Sequence, residues 1–209
     1  MRIASLAILA ILAAGAVAMA AIQTEDVPYA EIKGEHWDLD FQARLPQRIV
    51  VADKDGTEKA YWYVLYVVTN KSGEVRDFVP QAVMLTNTGK IARDGLYPAV
   101  LAKVKEAYRV PQIKTSVEMM GPLKAGEDEA REGIFIFPEA DVKTDSFTIF
   151  VTGLSGEFVI REVPAAGGNG ATEQQVFRKT MQMEYDFPGD TVNLAEDKVY
   201  LVGQNWIWR

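Results

Sequence analysis

The chain has 209 residues, with 29 acidic against 22 basic side chains and no cysteine. The net charge of −7, without a basic cluster, argues against nucleic acid or anionic membrane surfaces as partners, because both are bound by concentrated lysine and arginine. Without cysteine there are no disulfides, thiolate nucleophiles, zinc–thiolate sites or iron–sulfur clusters.

The beginning of the chain has the composition of a secretory signal. Arg2 supplies one positive charge, residues 3–18 are an apolar run, and residues 18–20 form an A-x-A cleavage sequence. We therefore expect residues 1–20 to be a signal peptide, residues 21–209 to form a single domain, and the protein to be exported to the periplasm or the extracellular space. An uncleaved anchor is the alternative, and we expect no membrane contact beyond this segment.

Alternating residues predict the first strands. Trp37, Leu39 and Phe41 alternate with polar residues, the period-two pattern of a strand with one buried face. Residues 48–52 form a further short strand, and residues 53–56, Asp-Lys-Asp-Gly, predict a hairpin turn into the next one.

The strand that follows is the predicted centre of the fold. Tyr61–Thr69 has no charged residue and is apolar or aromatic on both alternating faces, so we expect a central strand covered on both sides. Asn70–Gly73 predicts a turn, and Phe78–Thr86 a second strand that forms a hairpin with the first. Because Pro80 lacks the N–H that a ladder needs, we expect this second strand to be bulged or at a sheet edge.

One helix is predicted, from Pro98 to Arg109, because proline is favoured in a first helical turn and an apolar stripe follows with helical spacing. We expect it to pack over a sheet edge or the end of the fold. The remaining predicted strands lie between turns, within residues 90–95, 115–120, 133–138, 147–152, 157–163, 177–187 and 198–208. About nine to eleven strands and one short helix, without alternation of strands and helices, predict an all-β sandwich of antiparallel strands.

Two stretches resemble immunoglobulin-like accessory domains of exported bacterial proteins. Residues 62–90, WYVLYVVTNKSGEVRDFVPQAVMLTNTGK, resemble the opening of those domains, where one strand ends in V-x-N-x-[GS] and the next in L-x-[DN]-x-[GD]. Residues 122–138, PLKAGEDEAREGIFIFP, resemble their L-x-P-G-E…G-x-[IV]-x-F-P segment, with Lys124-Ala125 where those domains often have proline. The resemblance covers about residues 61–155. It implies an Ig-like β-sandwich that serves as an interaction or accessory module.

Candidate metal ligands are few. His36 is the single histidine, and Asp38 and Asp40 would share its strand face as ligands, but a polar face exposed to solvent is the favoured interpretation. The acidic segments 53–58 and 127–132 offer oxygen ligands for calcium, yet neither matches the D-x-D-x-D-G loop. We predict no cofactor and no resident metal.

Two further patterns are better explained by structural roles than by metal binding or catalysis. Met181 and Met183 would suit a thioether copper site only with histidines beside them, so we expect both in the core next to Tyr185. Residues 153–156, Gly-Leu-Ser-Gly, lack the G-x-S-x-G spacing of a serine hydrolase and are expected to form a turn. With no acid–base pair placed by a motif, we predict that the protein is not an enzyme.

The remaining candidates are aromatic residues of the last strand. Trp206 and Trp208 share one face by their spacing, and Tyr200 is expected on the same face. Aromatic residues arranged in this way have three possible roles: they pack in the core, stack on a sugar ring, or contact a protein partner. We predict an exported, non-enzymatic protein that acts through an unknown protein partner in the cell envelope. A carbohydrate-binding module that uses these tryptophans is the alternative.

Overall fold

The computed structural model describes residues 31–52, 56–165, 170–187 and 199–209. The expected signal peptide, residues 1–20, and most of the expected turn at 53–56 lie outside the described residues. The described strands are β1 Lys33–Asp38, β2 Asp40–Ala43, β3 Gln47–Ala52, β4 Glu58–Thr69, β5 Arg76–Phe78, β6 Gln81–Thr86, β7 Ile91–Arg93, β8 Lys114–Thr115, β9 Gly121–Leu123, β10 Arg131–Pro138, β11 Ser146–Thr152, β12 Ser155–Pro164, β13 Thr172–Asp186 and β14 Tyr200–Trp208. The described helices are α1 Pro98–Tyr108 and α2 Ser116–Met119. The predicted predominance of β-structure is confirmed.

The strands form two main sheets that pack together. One has seven strands in the order β1-β12-β13-β11-β6-β7, with β14 paired to β13. The other has five, in the order β2-β4-β10-β8, with β3 paired to β4, while β5 and β9 form a small ladder of their own. Pairing in both sheets is antiparallel except between β8 and β10. β11 and β12 lie end to end along one side of β13, and β14 lies along its other side.

β4 is covered on both faces, as predicted. Its residues at positions 62, 64, 66 and 68 are buried in the core between the two sheets. Tyr63 and Leu65 point the other way, into a second core beneath α1. A strand with two buried faces has no side for charged residues, which explains the uncharged run from Tyr61 to Thr69.

The predicted hairpin of residues 61–69 with 78–86 is wrong. β4 pairs with β2, β3 and β10, whereas residues 81–86 form β6 in the other sheet, between β11 and β7. After β4 the chain crosses from one sheet to the other, and Pro80 lies in the gap between β5 and β6, where it has no ladder to interrupt. β6 is therefore an interior strand, and the predicted strand 78–86 is interrupted at Pro80 instead of being bulged or placed at a sheet edge.

The helix α1 begins at the predicted proline but packs at a different place in the fold than predicted. It covers the outer face of the five-stranded sheet, where Val100 and Val104 are buried against residues such as Ile134 and Ile136. The apolar outer face created by β4 and β10 requires such a cover, so the predicted position over a sheet edge or the end of the fold is wrong.

A second, one-turn helix replaces the strand predicted at residues 115–120. The Thr115 hydroxyl accepts the N–H of Glu118 at 3.3 Å, and the Glu118 carboxylate accepts the backbone N–H of Thr115 at 2.8 Å. This capping box satisfies helix-end donors in both directions, and its T-x-x-E pattern is visible in the sequence.

The first predicted strand is divided in two because the chain changes sheets at Leu39. β1 joins the seven-stranded sheet and β2 the five-stranded one. The N–H of Leu39 donates to the carbonyl of Leu154 at 2.8 Å, so the crossing is anchored to the bend between β11 and β12.

Asp94 joins the two sheets at one side. It follows β7, and its Oδ1 accepts the backbone N–H of Ile136 in β10 at 2.7 Å, while its Oδ2 accepts the hydroxyl of Ser116. Burial raises the pKa of Asp94, although these hydrogen bonds favour its ionised form. The carboxyl group thus satisfies a donor at the edge of β10 that no strand reaches.

We expect Asp94→Ala to lower the free energy of unfolding by about 2 kcal/mol, because the Ile136 N–H loses its partner. Asp94→Asn keeps both contacts, since an amide accepts from Ile136 and donates to Ser116, and at about pH 4 it should unfold close to wild type. Urea titrations of both variants check this. Equal losses in the two variants would contradict the bridging role.

The difference in stability between wild type and Asp94→Asn should depend on pH in a definite direction. The folded-state pKa of Asp94 lies above the unfolded value, so the stability it contributes is present below the unfolded pKa and is lost as pH rises through the folded pKa. Asp94→Asn carries no such charge. Its stability should therefore improve relative to wild type as pH rises from about 4, the ordinary pKa of aspartate.

Candidate functional site

The strand β14 is the most exposed apolar element of the seven-stranded sheet. It pairs with β13 on one side, and no strand in the described part of the chain pairs with its other side. Its nine residues, YLVGQNWIW, include no charged side chain. Tyr200, Leu201 and Val202 are 54%, 46% and 56% exposed, and Trp206 is 36% exposed. We refer to residues 200–208, together with the backbone groups on the side away from β13, as the β14 edge.

The backbone of the β14 edge presents hydrogen-bonding groups outward. Arg178 and Arg209 exchange both backbone hydrogen bonds, at 2.8 and 3.1 Å, so they are a hydrogen-bonded pair of the antiparallel ladder. Such pairs alternate along a ladder. The N–H and C=O groups of residues 205 and 207 therefore point at β13, and those of Gln204, Trp206 and Trp208 point away from it.

The three aromatic residues singled out from the sequence do not share one face. Trp206 and Trp208 lie opposite Met181 and Lys179, on the side of β13 that faces the core. A register shift between Glu184 and Tyr185 then places Tyr200 opposite Asp186, on the other face. The predicted common face of Tyr200 with the tryptophans is wrong because this β-bulge adds a residue that period-two counting does not include.

The ring of Trp206 lies beside a network of charged side chains. The Lys179 ammonium is 5.0 Å from the indole centroid, and it donates to Asp38 at 2.7 Å and to Glu157 at 2.7 Å. Glu157, almost fully buried, also bonds to Nδ1 of His36. One side of Trp206 is thus occupied by an ammonium group, as in other cation–π contacts.

The pKa values in this network indicate a satisfied ion-pair cluster. The hydrogen bond from Lys179, followed by that from His36, lowers the pKa of Glu157 despite its burial. Burial disfavours the charged form of Lys179, but hydrogen bonds to Asp38 and Glu157 raise its pKa overall. Glu157 stays ionised and Lys179 protonated, so neither is poised to exchange protons near neutral pH.

The metal candidates do not converge. His36 contacts Glu157, Asp38 contacts Lys179, and Asp40 pairs with Lys71 at 2.7 Å. In the acidic segment, Glu129 pairs with Lys124 at 3.2 Å. Across the described ranges, no three histidine, aspartate or glutamate side chains are grouped so as to hold a metal ion. The alternative of residues 53–55 as ligands lies outside those ranges.

The other candidates take structural positions. Met181 and Met183 are buried in the core between the sheets with Tyr185, as predicted. Residues 153–154 connect β11 to β12, and the hydroxyl of Ser155, at the start of β12, accepts the N–H of Glu157 at 3.1 Å. The turn predicted at 153–156 is wrong, because β11 and β12 run in the same direction along β13 and residues 153–154 form only a bend between them.

A shallow groove of about 380 Å³ lies beside Trp37. Its arginine, Arg76, has its guanidinium 5.6 Å from the Trp37 ring and pairs with Glu35 and Glu74. Arg76 and its carboxylate partners in this groove therefore bind one another, whereas the outward backbone groups of β14 have no partner within the described ranges.

None of the helices in the described part of the chain is both long and apolar enough to cross a membrane. Comparison of this chain with protein-family models, curated proteins and solved structures finds no match.

Proposed function

We propose that this is an exported, Ig-like protein without enzymatic activity that acts by protein contact in the cell envelope, and that the β14 edge receives an extended strand from its partner. The observation that supports this most is an edge strand of nine residues with exposed apolar side chains and no charge.

Unprotected edges of this kind are uncommon in soluble proteins. Natural edge strands are usually blocked by charged residues, proline, bulges or covering loops, since unpaired N–H and C=O groups attract other strands. In the β14 edge the bulge lies beside Gly203, and the stretch from Gln204 to Trp208 is regular. In the described part of the chain nothing pairs with the outward groups of Gln204, Trp206 and Trp208, so they can bind a partner strand.

Strand addition also gives a chemical description of the partner. The backbone groups supply affinity, and alternate side chains supply specificity. On the core-facing side the partner strand would meet Trp206 and Trp208, and on the outer side it would meet Ile207 and the uncharged Asn205. An extended segment with apolar residues at alternate positions fits this surface.

Gln204→Pro tests the proposal because it removes one outward N–H while leaving the bonds to β13 in place. Gln204→Ala is the matched control, since it changes the same side chain and keeps the N–H. We expect immobilised wild type and Gln204→Ala to retain a protein from an envelope extract of the host. We expect Gln204→Pro to bind it at least about tenfold more weakly, the equivalent of roughly 1.4 kcal/mol.

Equal retention by Gln204→Pro would contradict strand addition. Retention of a glycan in place of a protein, lost in Trp206→Ala but kept in Gln204→Pro, would instead support the carbohydrate alternative. Unfolding curves of all variants identify any that fail to fold.

A further inference from the structure

We propose that the β14 edge pairs with the same edge of a second copy of this chain, antiparallel and about a twofold axis at Trp206, so that the two seven-stranded sheets become continuous. This inference rests on the proposed function, because it names the strand that the open edge receives.

The outward backbone groups determine the register. Residues 204, 206 and 208 point away from β13, and the ladder is irregular on the far side of Gly203. Centring the pair on Trp206 places Gln204 opposite Trp208 of the second copy and Trp206 opposite itself. All three outward residues then form hydrogen-bonded pairs, and the bulge stays outside the contact.

In this register the charges on the outer face are complementary. Arg209 falls opposite Gly203 of the second copy, in a non-hydrogen-bonded pair where side chains approach most closely. The Glu184 carboxylate lies over Gly203, with its Oε2 3.2 Å from the position a Cβ would take. Glycine at 203 therefore leaves that carboxylate open to an arginine from the next strand.

Among the described residues, neither charged group has an opposite charge as a partner in its own chain. Glu184 accepts a hydrogen bond from the amide of Gln182, and the Arg209 guanidinium is 4.0 Å from the Phe150 ring centroid. In the described part of the chain neither forms an ion pair. Arg93 adds a second positive charge near Arg209, and burial followed by that charge lowers the pKa of Arg209.

Within one chain the backbones of Glu184 and Arg209 lie far apart. Glu184 lies beside Gly203, and the Cα atoms of Gly203 and Arg209 are six residue steps of extended strand apart, roughly 20 Å at the usual rise. Between two copies in this register, an Arg209 side chain that turns from Phe150 toward the open edge reaches Glu184 of the other chain, and the twofold axis forms this contact twice.

The strand itself has nothing that opposes self-pairing. No charged residue of β14 would meet its own kind, and the exposed ring of Trp206 would meet that of the second copy. The net charge of −7 is spread over the molecule, and at physiological ionic strength repulsion is screened beyond about 8 Å.

Charge reversal tests the pairing between copies. We expect wild type to sediment as a dimer, and Arg209→Glu and Glu184→Arg each to weaken dimerisation at least about tenfold, since each creates two like-charge contacts. The double variant exchanges the two charges and should recover affinity to within a few-fold of wild type. Arg161→Glu is the matched control, because Arg161 also stacks on an aromatic ring, Phe177, at 5.8 Å, but lies away from β14.

If the wild type stays monomeric up to ~100 µM, its self-association is weaker than that of a typical specific contact, and the inference is overturned. A double variant that stays as weak as the single variants would overturn it too. The proposed function is judged separately by Gln204→Pro. If Gln204→Pro loses an envelope partner while wild type is monomeric, pairing with a second copy is wrong and strand addition stands. If Gln204→Pro loses neither an envelope partner nor self-association, both proposals fail.

Discussion

Replacing Asn70 with alanine is expected to lower the free energy of unfolding by about 3 kcal/mol, because it leaves several buried polar groups without partners. The Asn70 side chain is fully buried. Its Nδ2 donates to the carbonyls of Glu74 at 2.7 Å and Leu123 at 2.8 Å, and its Oδ1 accepts the Ser72 N–H at 3.0 Å and the Ser72 hydroxyl at 2.8 Å. Asn70 thus fixes the turn after β4 to the last residue of β9.

Two variants separate the donor and acceptor roles of Asn70. Asn70→Asp keeps the acceptor for Ser72 but turns a carboxylate oxygen toward two carbonyls, so we expect a loss at least as large as that of alanine. Ser72→Ala removes the hydroxyl that donates to Asn70 Oδ1 and accepts from Nε of Arg76 at 3.1 Å, but it keeps the bond from the Ser72 N–H, so it should cost about 1 to 2 kcal/mol. Denaturant titration measures all three, and an Asn70→Ala variant within 1 kcal/mol of wild type would contradict this role. The same burial leaves no room for a glycan at the Asn70-Lys-Ser72 sequence in the folded protein.

Gly133→Ala is the second substitution with a large expected effect. A methyl group there would overlap Cζ and Oη of Tyr66 and lie 2.7 Å from its Cε2. The Tyr66 ring cannot swing away, since it stacks on Phe135 with centroids 4.4 Å apart and contacts Phe41 at 5.2 Å. Overpacking of this kind costs about 3 kcal/mol or more.

Tyr66→Phe is the control for Gly133→Ala, because it keeps the ring and removes only the hydroxyl. That hydroxyl is buried and has no hydrogen-bond partner among the described residues, and burial strongly raises the pKa of Tyr66. We expect Tyr66→Phe to equal or exceed wild type in stability by up to about 1 kcal/mol. Thermal unfolding compares the two, and a Gly133→Ala protein as stable as Tyr66→Phe would show that the ring is not fixed.

Local patterns predicted the strands well, but not their partners. The uncharged run at 61–69 indicates a strand with two buried faces, and Pro98 indicates the start of a helix, because both depend on nearby residues. The pairing of β4 with β10 depends on contacts about 70 residues apart, from Val68 with Arg131 to Tyr61 with Pro138, which no periodicity contains. The hairpin with residues 78–86 was therefore the nearest choice in sequence and the wrong one.

The candidate site was only partly predicted, because it too depends on contacts between residues distant in sequence. The absence of charge in residues 200–208 is visible in the sequence, and Trp206 and Trp208 do share a face. That β14 is an edge follows only from the sheet order, and the separation of Tyr200 follows only from the bulge at Gly203. The contacts of Lys179 with Asp38 and Glu157 join distant strands, and sequence spacing gives no sign of them.

Amide hydrogen exchange along β14 tests the open edge most directly. The N–H groups of Asn205 and Ile207 point at β13 and should be protected at every protein concentration. Those of Gln204, Trp206 and Trp208 should exchange freely in dilute protein and become protected as the concentration rises, or when an envelope partner is added. Protection of residues 204, 206 and 208 in dilute protein, or their free exchange under all of these conditions, would contradict a partner strand at the β14 edge.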